Sequence, residues 1–341
     1  MSETVLVTGG TGFVGGYCIL QLLQEGYNVR TTIRDLKKED ALRSTLKKLN
    51  INEEVLKSRF QVFQADLVSD QGWPEALIGC DYVHHVASPL PLQQPKDEDE
   101  VIKPAKEGTL RVIKFSEKAG VKKLIFTSSF AAIGYGHPDE KYLTEEDWAV
   151  PEKAPNAYIK SKGLAEKAAW EYLKTSGSNM KFTTINPTAI FGPKLPGGNP
   201  ATSQIMEKLL DGSMALGCPK FSFGIIDVRD VAKIHILAMK LDATDNQRYL
   251  LTSRSEESSL LDIASIIRKN VDEEKGKKLP TRELPTILLR FMGLFSPQVR
   301  NILSTIRDKK RYNGQKARKD FSWVPIDPEI SIMDTVNGLD S

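Results

Sequence analysis

The chain has 341 residues, 40% of them hydrophobic and 27% charged, with a formal net charge of +3. That length suits one large α/β core with a smaller appended region, or two modest domains. A charge so near neutrality gives no case for nucleic acid or an anionic membrane as partner.

The first half alternates short apolar runs with helical stretches. Val5–Thr8 reads as a strand, followed by a glycine-rich turn and a helix to about Glu25. Asn28–Ile33 is the next strand, and the charged stretch Lys37–Leu49 a helix. Arg59–Gln64 and Asp81–Val86 are the third and fourth strands, Glu98–Ala119 a long helix, and Lys122–Ser128 a fifth strand. Asn156–Lys174 is a further helix and Met180–Asn186 a sixth strand. Nearly continuous apolar strands separated by helices imply a parallel sheet covered on both faces. Right-handed crossovers then give a doubly wound, Rossmann-type α/β fold.

After Pro187 the texture changes, with Pro193, Pro196, Gly197, Gly198 and Pro200 clustered in a loop. The expected division is a dinucleotide-binding domain over 1–187 and a mainly substrate-binding region over 188–341. Elements within about 225–252, namely helix Val228–Leu241 and strand Arg248–Leu251, are expected to return to the sheet. The apolar run Leu284–Phe295 is broken by Pro285 and Arg290 and is too short for a membrane span.

The three cysteines, Cys18, Cys80 and Cys218, have no metal or redox spacing. They read as reduced core residues, which fits a cytoplasmic setting. His84, His85, His137 and His235 are poorly spaced for a metal, and the first two read as strand packing. The amino terminus lacks a basic segment leading into an apolar one, so no signal peptide is expected. Arg307, Lys309, Lys310 and Arg311 read as a solvated helix end and turn.

Residues 8–15 read TGGTGFVG, which places Gly9, Gly12 and Gly15 directly after a strand and before a helix. Such a turn lets the backbone approach a pyrophosphate, which the helix N-terminus then faces. The second strand ends Thr32-Ile33-Arg34-Asp35, with Lys37 and Lys38 beyond. Arg34 can stack on adenine and pair with a 2′-phosphate, with Lys38 as a second charge, which favours NADPH/NADP+. Asp35 is the opposing signal, because an acid here suits the free ribose of NAD.

Tyr158 and Lys162 stand at i and i+4 on a helix, so they share a face. An ammonium there would stabilise the phenolate and lower the tyrosine pKa toward the working range. Thr127-Ser128-Ser129 ends the fifth strand, at the edge where doubly wound sheets bind ligands. A serine hydroxyl there can support developing oxyanion charge.

With these residues in place the chain resembles the extended short-chain dehydrogenase/reductase family. It is most similar to the branch of dihydroflavonol, cinnamoyl-CoA and methylglyoxal (aldehyde) reductases. The carriers are TGGTGFVG, VRTTIRD, HHVASP, KEGTLRVI, KKLIFTSS, NAYIKSKGLAEKAAW, INPTAIFGP and DVRDVAKIHILAM, spread over nearly the whole chain. The resemblance implies an NADPH-dependent reductase of an aldehyde or ketone, acting as a monomer or homodimer on a small-molecule carbonyl substrate. It implies Ser129 as the polarising serine, Tyr158 as general acid and Lys162 as its partner on the nicotinamide ribose. Gly9, Thr11, Gly12, Phe13, Val14 and Gly15 would face the pyrophosphate, and Arg34 and Lys38 the 2′-phosphate. Asp66 and Leu67 would lie near adenine, Val86, Ala87 and Ser88 near ribose, and Pro187 and Thr188 near nicotinamide.

The chain departs from the plant patterns. The segment after Ser129 is Phe-Ala-Ala-Ile-Gly, without the polar side chains that recognise a polyhydroxylated ring, and the NWYCY signature is missing. An apolar rim of Phe130, Ala131, Ile190 and Phe191 remains as the candidate substrate pocket. Two rivals share the motifs: a nucleotide-sugar epimerase, dehydratase or 3β-hydroxysteroid dehydrogenase, and a dinucleotide sensor without chemistry. Arg34 speaks against the epimerase, and the intact Ser129, Tyr158 and Lys162 against the sensor.

Overall fold

The computed structural model describes residues 2–89, 97–138, 141–196, 198, 200–294 and 310–340. Phe295, Arg307 and Lys309 lie outside the described residues.

The seven strands of the central sheet are β1 (Thr4–Thr8), β2 (Asn28–Ile33), β3 (Phe60–Gln64), β4 (Tyr82–His85), β5 (Lys123–Thr127), β6 (Lys181–Pro187) and β7 (Gln247–Leu251). All pairs are parallel and the order is β7-β6-β5-β4-β1-β2-β3. The order reverses beside β1, so a crevice opens at the carboxyl ends of β1 and β4, where this topology receives ligands.

Alternation along the strands sorts the core into two layers. Val5, Val7 and Ile125 face one side with Cys18, Ile19 and Leu22 of α1 (Phe13–Gln24). Val231 and Ile234 join that layer. Leu6, Val83, Leu124 and Phe126 face the other side with Val112, Ile113 and Ala169. The helices over that second face are α3 (Asp99–Lys118) and α4 (Ala157–Ser176), packed along each other. Between α1 and α3 in the chain lies α2 (Glu39–Lys48), beside the edge strands.

After β6 the chain leaves the sheet and builds a third core cluster from Phe191, Met206, Leu209, Ile263, Ile267, Ile332 and Val336. Its helices are α5 (Ala201–Leu210), α7 (Leu260–Asn270) and α8 (Pro328–Asn337). Helix α6 (Val228–Lys240) lies between them in the chain, packs on α1, and feeds β7 back into the sheet. Short strand pairs, such as Ala189–Phe191 with Ile225–Asp227, tie the two regions together.

Candidate active site

The glycine turn is shaped by contacts that tolerate no side chain. Gly9 adopts φ +74° and packs on the Ala87 backbone, where a Cβ would come within 3.1 Å of its Cα. A Cβ on Gly15 would come within 2.4 Å of the Gly9 carbonyl oxygen. Gly12 is the N-cap of α1 and offers no side-chain bond to the first turn, which also carries no acidic residue. The free N–H groups and the positive end of the helix dipole are left for an anionic ligand. This cradle fits a dinucleotide pyrophosphate, with Thr11 and Gly12 exposed on its rim and Phe13 and Val14 half-buried.

Thr8 braces the turn from below. Its Oγ1 accepts from the Val86 and Ala87 N–H groups at 3.0 and 2.9 Å and lies 2.9 Å from His85 Nδ1. Both lone pairs of the hydroxyl are thereby used, so its proton goes to Nδ1 and His85 carries hydrogen on Nε2. Val86, Ala87 and Ser88 are held half-buried beside the glycines.

Arg34 and Lys38 are exposed just past β2, with the Arg34 carbonyl accepting from Gln64 Nε2 at 3.0 Å. Asp35 caps the following turn, its Oδ1 accepting from the Lys37 N–H at 3.0 Å. Asp66 closes a turn after β3 by accepting from the Val68 N–H at 3.2 Å, and Leu67 packs beside Gly108 of α3.

At the end of β5 the two serines part company. Ser128 is buried and donates to Glu166 at 2.5 Å. Ser129 is half-buried, and among the described residues its Oγ accepts only the Ala131 N–H, at 3.1 Å. The Ser129 proton is thus available to a ligand. The turn Phe130–Ala132 that follows packs on α4.

Helix α4 starts at Asn156, whose side chain accepts from the Ile159 N–H at 2.9 Å. Tyr158 is half-buried and Lys162 buried, with the Lys162 ammonium 5.9 Å from the Tyr158 ring centroid. Burial, helped by the Tyr135 phenol, pushes Tyr158 up to about 12. Burial pulls Lys162 down to about 8, against an upward pull from Glu166. The expected lowering of the tyrosine pKa is therefore corrected: burial and the neighbouring Tyr135 phenol both act upward on Tyr158.

The apolar rim is also revised. Phe191 is fully buried, stacked on Phe223 at 5.7 Å between centroids, and belongs to the C-terminal core. Phe130 is buried edge-on against Tyr312 at 4.8 Å, with Ala131 beside it, while Ile190 stays half-buried in its short strand. Pro187 and Thr188 are buried at the end of β6, and the Thr188 hydroxyl donates to the Leu251 carbonyl at 3.2 Å. A cavity of about 530 Å³ lined by Trp148, Trp170, Arg248 and Lys316 opens elsewhere, at the amino-terminal end of β7.

Sequence reading missed Glu166, Asn186 and Arg248, which form a buried polar cluster behind Ser129. The spacing of Glu166, four residues past Lys162, was the available signal. Among the described residues no cluster of three or more His, Cys, Asp or Glu could hold a metal. No described helix is long and apolar enough to cross a membrane.

A parallel sheet with a glycine turn, a strand-end serine and a Tyr/Lys helix defines a Rossmann-type oxidoreductase of the reductase kind. The chain belongs to the 3-beta hydroxysteroid dehydrogenase/isomerase family, which it matches over residues 6–281. It is 34% identical over 267 residues to a cinnamoyl-CoA reductase of Medicago truncatula, covering 74% of this chain and 77% of that one. It is 30% identical over 301 residues to a bifunctional dihydroflavonol 4-reductase/flavanone 4-reductase of Pyrus communis, covering 86% and 80%. Its fold is similar to that of yeast methylglyoxal/isovaleraldehyde reductase complexed with NADPH, with a TM-score of 0.82, 22% identity and coverage of 99% and 98%. A related NADPH complex from Candida albicans gives a TM-score of 0.77 at 26% identity, with coverage of 99% and 98%.

Proposed function

We propose that this protein reduces an aldehyde or ketone to the alcohol, with NADPH as reductant. The carrying observation is that the uncapped glycine turn and Ser129 both follow the carboxyl ends of parallel strands, β1 and β5, and that the helix bearing Tyr158 and Lys162 packs on the turn after Ser129. Gly9, Thr11, Gly12, Phe13, Val14 and Gly15 hold the pyrophosphate, and Arg34 and Lys38 the 2′-phosphate. Asp66 and Leu67 flank adenine, Val86, Ala87 and Ser88 the ribose, and Pro187 and Thr188 the nicotinamide. NADPH, when bound, supplies the hydride.

The residues of the chain handle the proton and the oxygen. The free Ser129 hydroxyl donates to the carbonyl oxygen and orients it. Tyr158, protonated throughout the neutral range, delivers its phenolic proton to that oxygen as the alcohol forms. Lys162 offsets the charge of the phenolate left behind, which takes a new proton from solvent. The segment that follows Ser129, Phe-Ala-Ala-Ile-Gly, brings no polar side chain that could recognise a polyhydroxylated ring, which favours a simpler carbonyl compound. The NADPH complexes of similar fold, and the reductase relatives, support the same reading.

The test is NADPH oxidation by the purified protein with a panel of simple aldehydes and β-keto esters. Tyr158→Phe is expected to lower kcat by at least about 100-fold and to leave NADPH binding, followed by fluorescence, nearly intact. Turnover by that variant at the wild-type rate refutes the assignment.

A further inference from the structure

Glu166 is fully buried one helical turn beyond Lys162, and five side chains donate to its carboxylate. Oε1 accepts from Arg248 Nε at 2.6 Å, Thr184 Oγ1 at 3.2 Å and Trp170 Nε1 at 3.3 Å. Oε2 accepts from Ser128 Oγ at 2.5 Å and Asn186 Nδ2 at 2.6 Å. The same Asn186 nitrogen gives its other proton to the Ser129 carbonyl, at 3.1 Å. One buried charge therefore reaches the reacting serine's backbone through a single intervening side chain.

A buried ion pair is a poor device for stability, because desolvation consumes most of the attraction and apolar residues of similar volume do as well or better. Retaining one here needs another use. Both of its branches end in the candidate site. Asn186 and Ser128 clamp the end of β5, and the i, i+4 spacing puts Glu166 on the same helix stripe as Tyr158 and Lys162.

We propose that Glu166 is the positioning residue of this site, fixing the Ser128–Ser129 strand end through Asn186 and standing as the counter-charge to Lys162. This rests on the reductase reading for what Ser129 and Lys162 then do. The charged and titratable groups that act on or near Lys162 are Tyr158 and Glu166 on its own helix and His85 from β4, with Arg248 of β7 paired to Glu166 at 2.6 Å. His85 is neutral, because burial and the Lys162 charge hold it down at about 3. The carboxylate is therefore the group that sustains the ammonium.

Two measurements on the full chain test this. The first needs no turnover: NADPH binding is titrated by fluorescence from about pH 6 to about pH 10. Wild-type affinity is expected to fall as Lys162 loses its proton near 8. In Glu166→Gln that fall is expected about one pH unit lower, with equal affinity at the acidic end. The second uses isovaleraldehyde as probe at about pH 6, below the Lys162 transition of either protein, so that the serine branch alone is read. Glu166→Gln is expected to lower kcat about tenfold, yet to change it less than about twofold in a Ser129→Ala background, since coupled residues are not additive. If Glu166→Gln does not fold, Asn186→Ala cuts the bridge while leaving Glu166 paired with Arg248, and the same non-additivity is expected. An unchanged binding midpoint, or an equal loss in both backgrounds, overturns the proposal. If the wild type reduces nothing in the panel, the reductase reading fails while the binding titration still decides the role of Glu166.

Discussion

Asp35 stands where an acid would favour NAD, and the structure gives its carboxylate another task. It caps the turn after β2 by accepting from the Lys37 N–H, while Arg34 and Lys38 remain exposed beside it. Arg34→Ala is therefore expected to raise KM for NADPH about tenfold and to leave KM for NADH little changed, since the proposed charge-assisted bond to the 2′-phosphate would be lost. Equal effects on both cofactors, in initial-rate measurements, would count against the placement. The same scale carries a pH prediction. Lys162 lies near 8 and Tyr158 near 12, both displaced by burial. Between those values the phenol still has its proton and the ammonium has lost its own. The kcat/KM for carbonyl reduction, which reports the free enzyme, is expected to fall through one ionisation near 8. A profile flat up to about pH 10 would show that Lys162 keeps its charge by other means.

At the scale of elements, the seven strands were legible because each is a short run of β-branched, aromatic and aliphatic residues, apolar in β1 and β5 and interrupted by polar residues in the others. The helix that carries Tyr158 and Lys162 was legible over Asn156–Lys174 and is observed over Ala157–Ser176, with Asn156 as its cap. The short helices Glu53–Arg59 and Trp73–Leu77 were not, since so few residues display no full period. Nor were the short strand pairs after Pro187, which exist only because distant segments meet. The polar cluster behind Ser129 failed for the same reason: Arg248 reaches Glu166 across 82 positions of chain. The pKa of Tyr158 went astray because spacing reveals a neighbour but not how much water the pair has lost. The glycine turn, by contrast, is an element whose sequence and shape agree. Gly15→Ala would drive a Cβ against the Gly9 carbonyl oxygen at 2.4 Å, and backbone on both sides can give little. It is expected to destabilise the fold by about 1–3 kcal/mol and to weaken NADPH binding. Urea unfolding and a fluorescence titration would check this, and a variant that matches wild type in both would mean the turn relaxes freely.

For the whole molecule, the middle of the sheet carries a liability toward acid. His84 and His85 of β4 and His235 of α6 are each fully buried. Neither ring nitrogen of His84 has a hydrogen-bond partner among the described residues, and its ring meets that of His235 edge-on at 5.5 Å. His235 is bonded by Thr127 Oγ1 at 2.7 Å and by the Val231 carbonyl at 2.7 Å. Burial holds His84 well below its ordinary value, His85 at about 3 and His235 at about 4. A base depressed in the folded state binds protons first when unfolded. Folding stability is therefore intact above the unfolded histidine value and declines as pH falls from there toward the folded values. His85 and His235 each contribute about 2 kcal/mol of loss between about pH 6.5 and about pH 5, and His84 adds a loss of the same sign. Glu145 and Asp230, raised by burial, act in the opposite sense. Urea unfolding is accordingly expected to show a steep loss of stability below about pH 6.5, where ordinary carboxylates have not begun to titrate. His84 has no hydrogen bond to forfeit, so His84→Leu should remove about one proton's share of that slope at little cost near pH 7. A slope identical in wild type and His84→Leu would mean that the ring is charged or hydrated inside the fold, and that the sheet centre is wetter than its packing indicates.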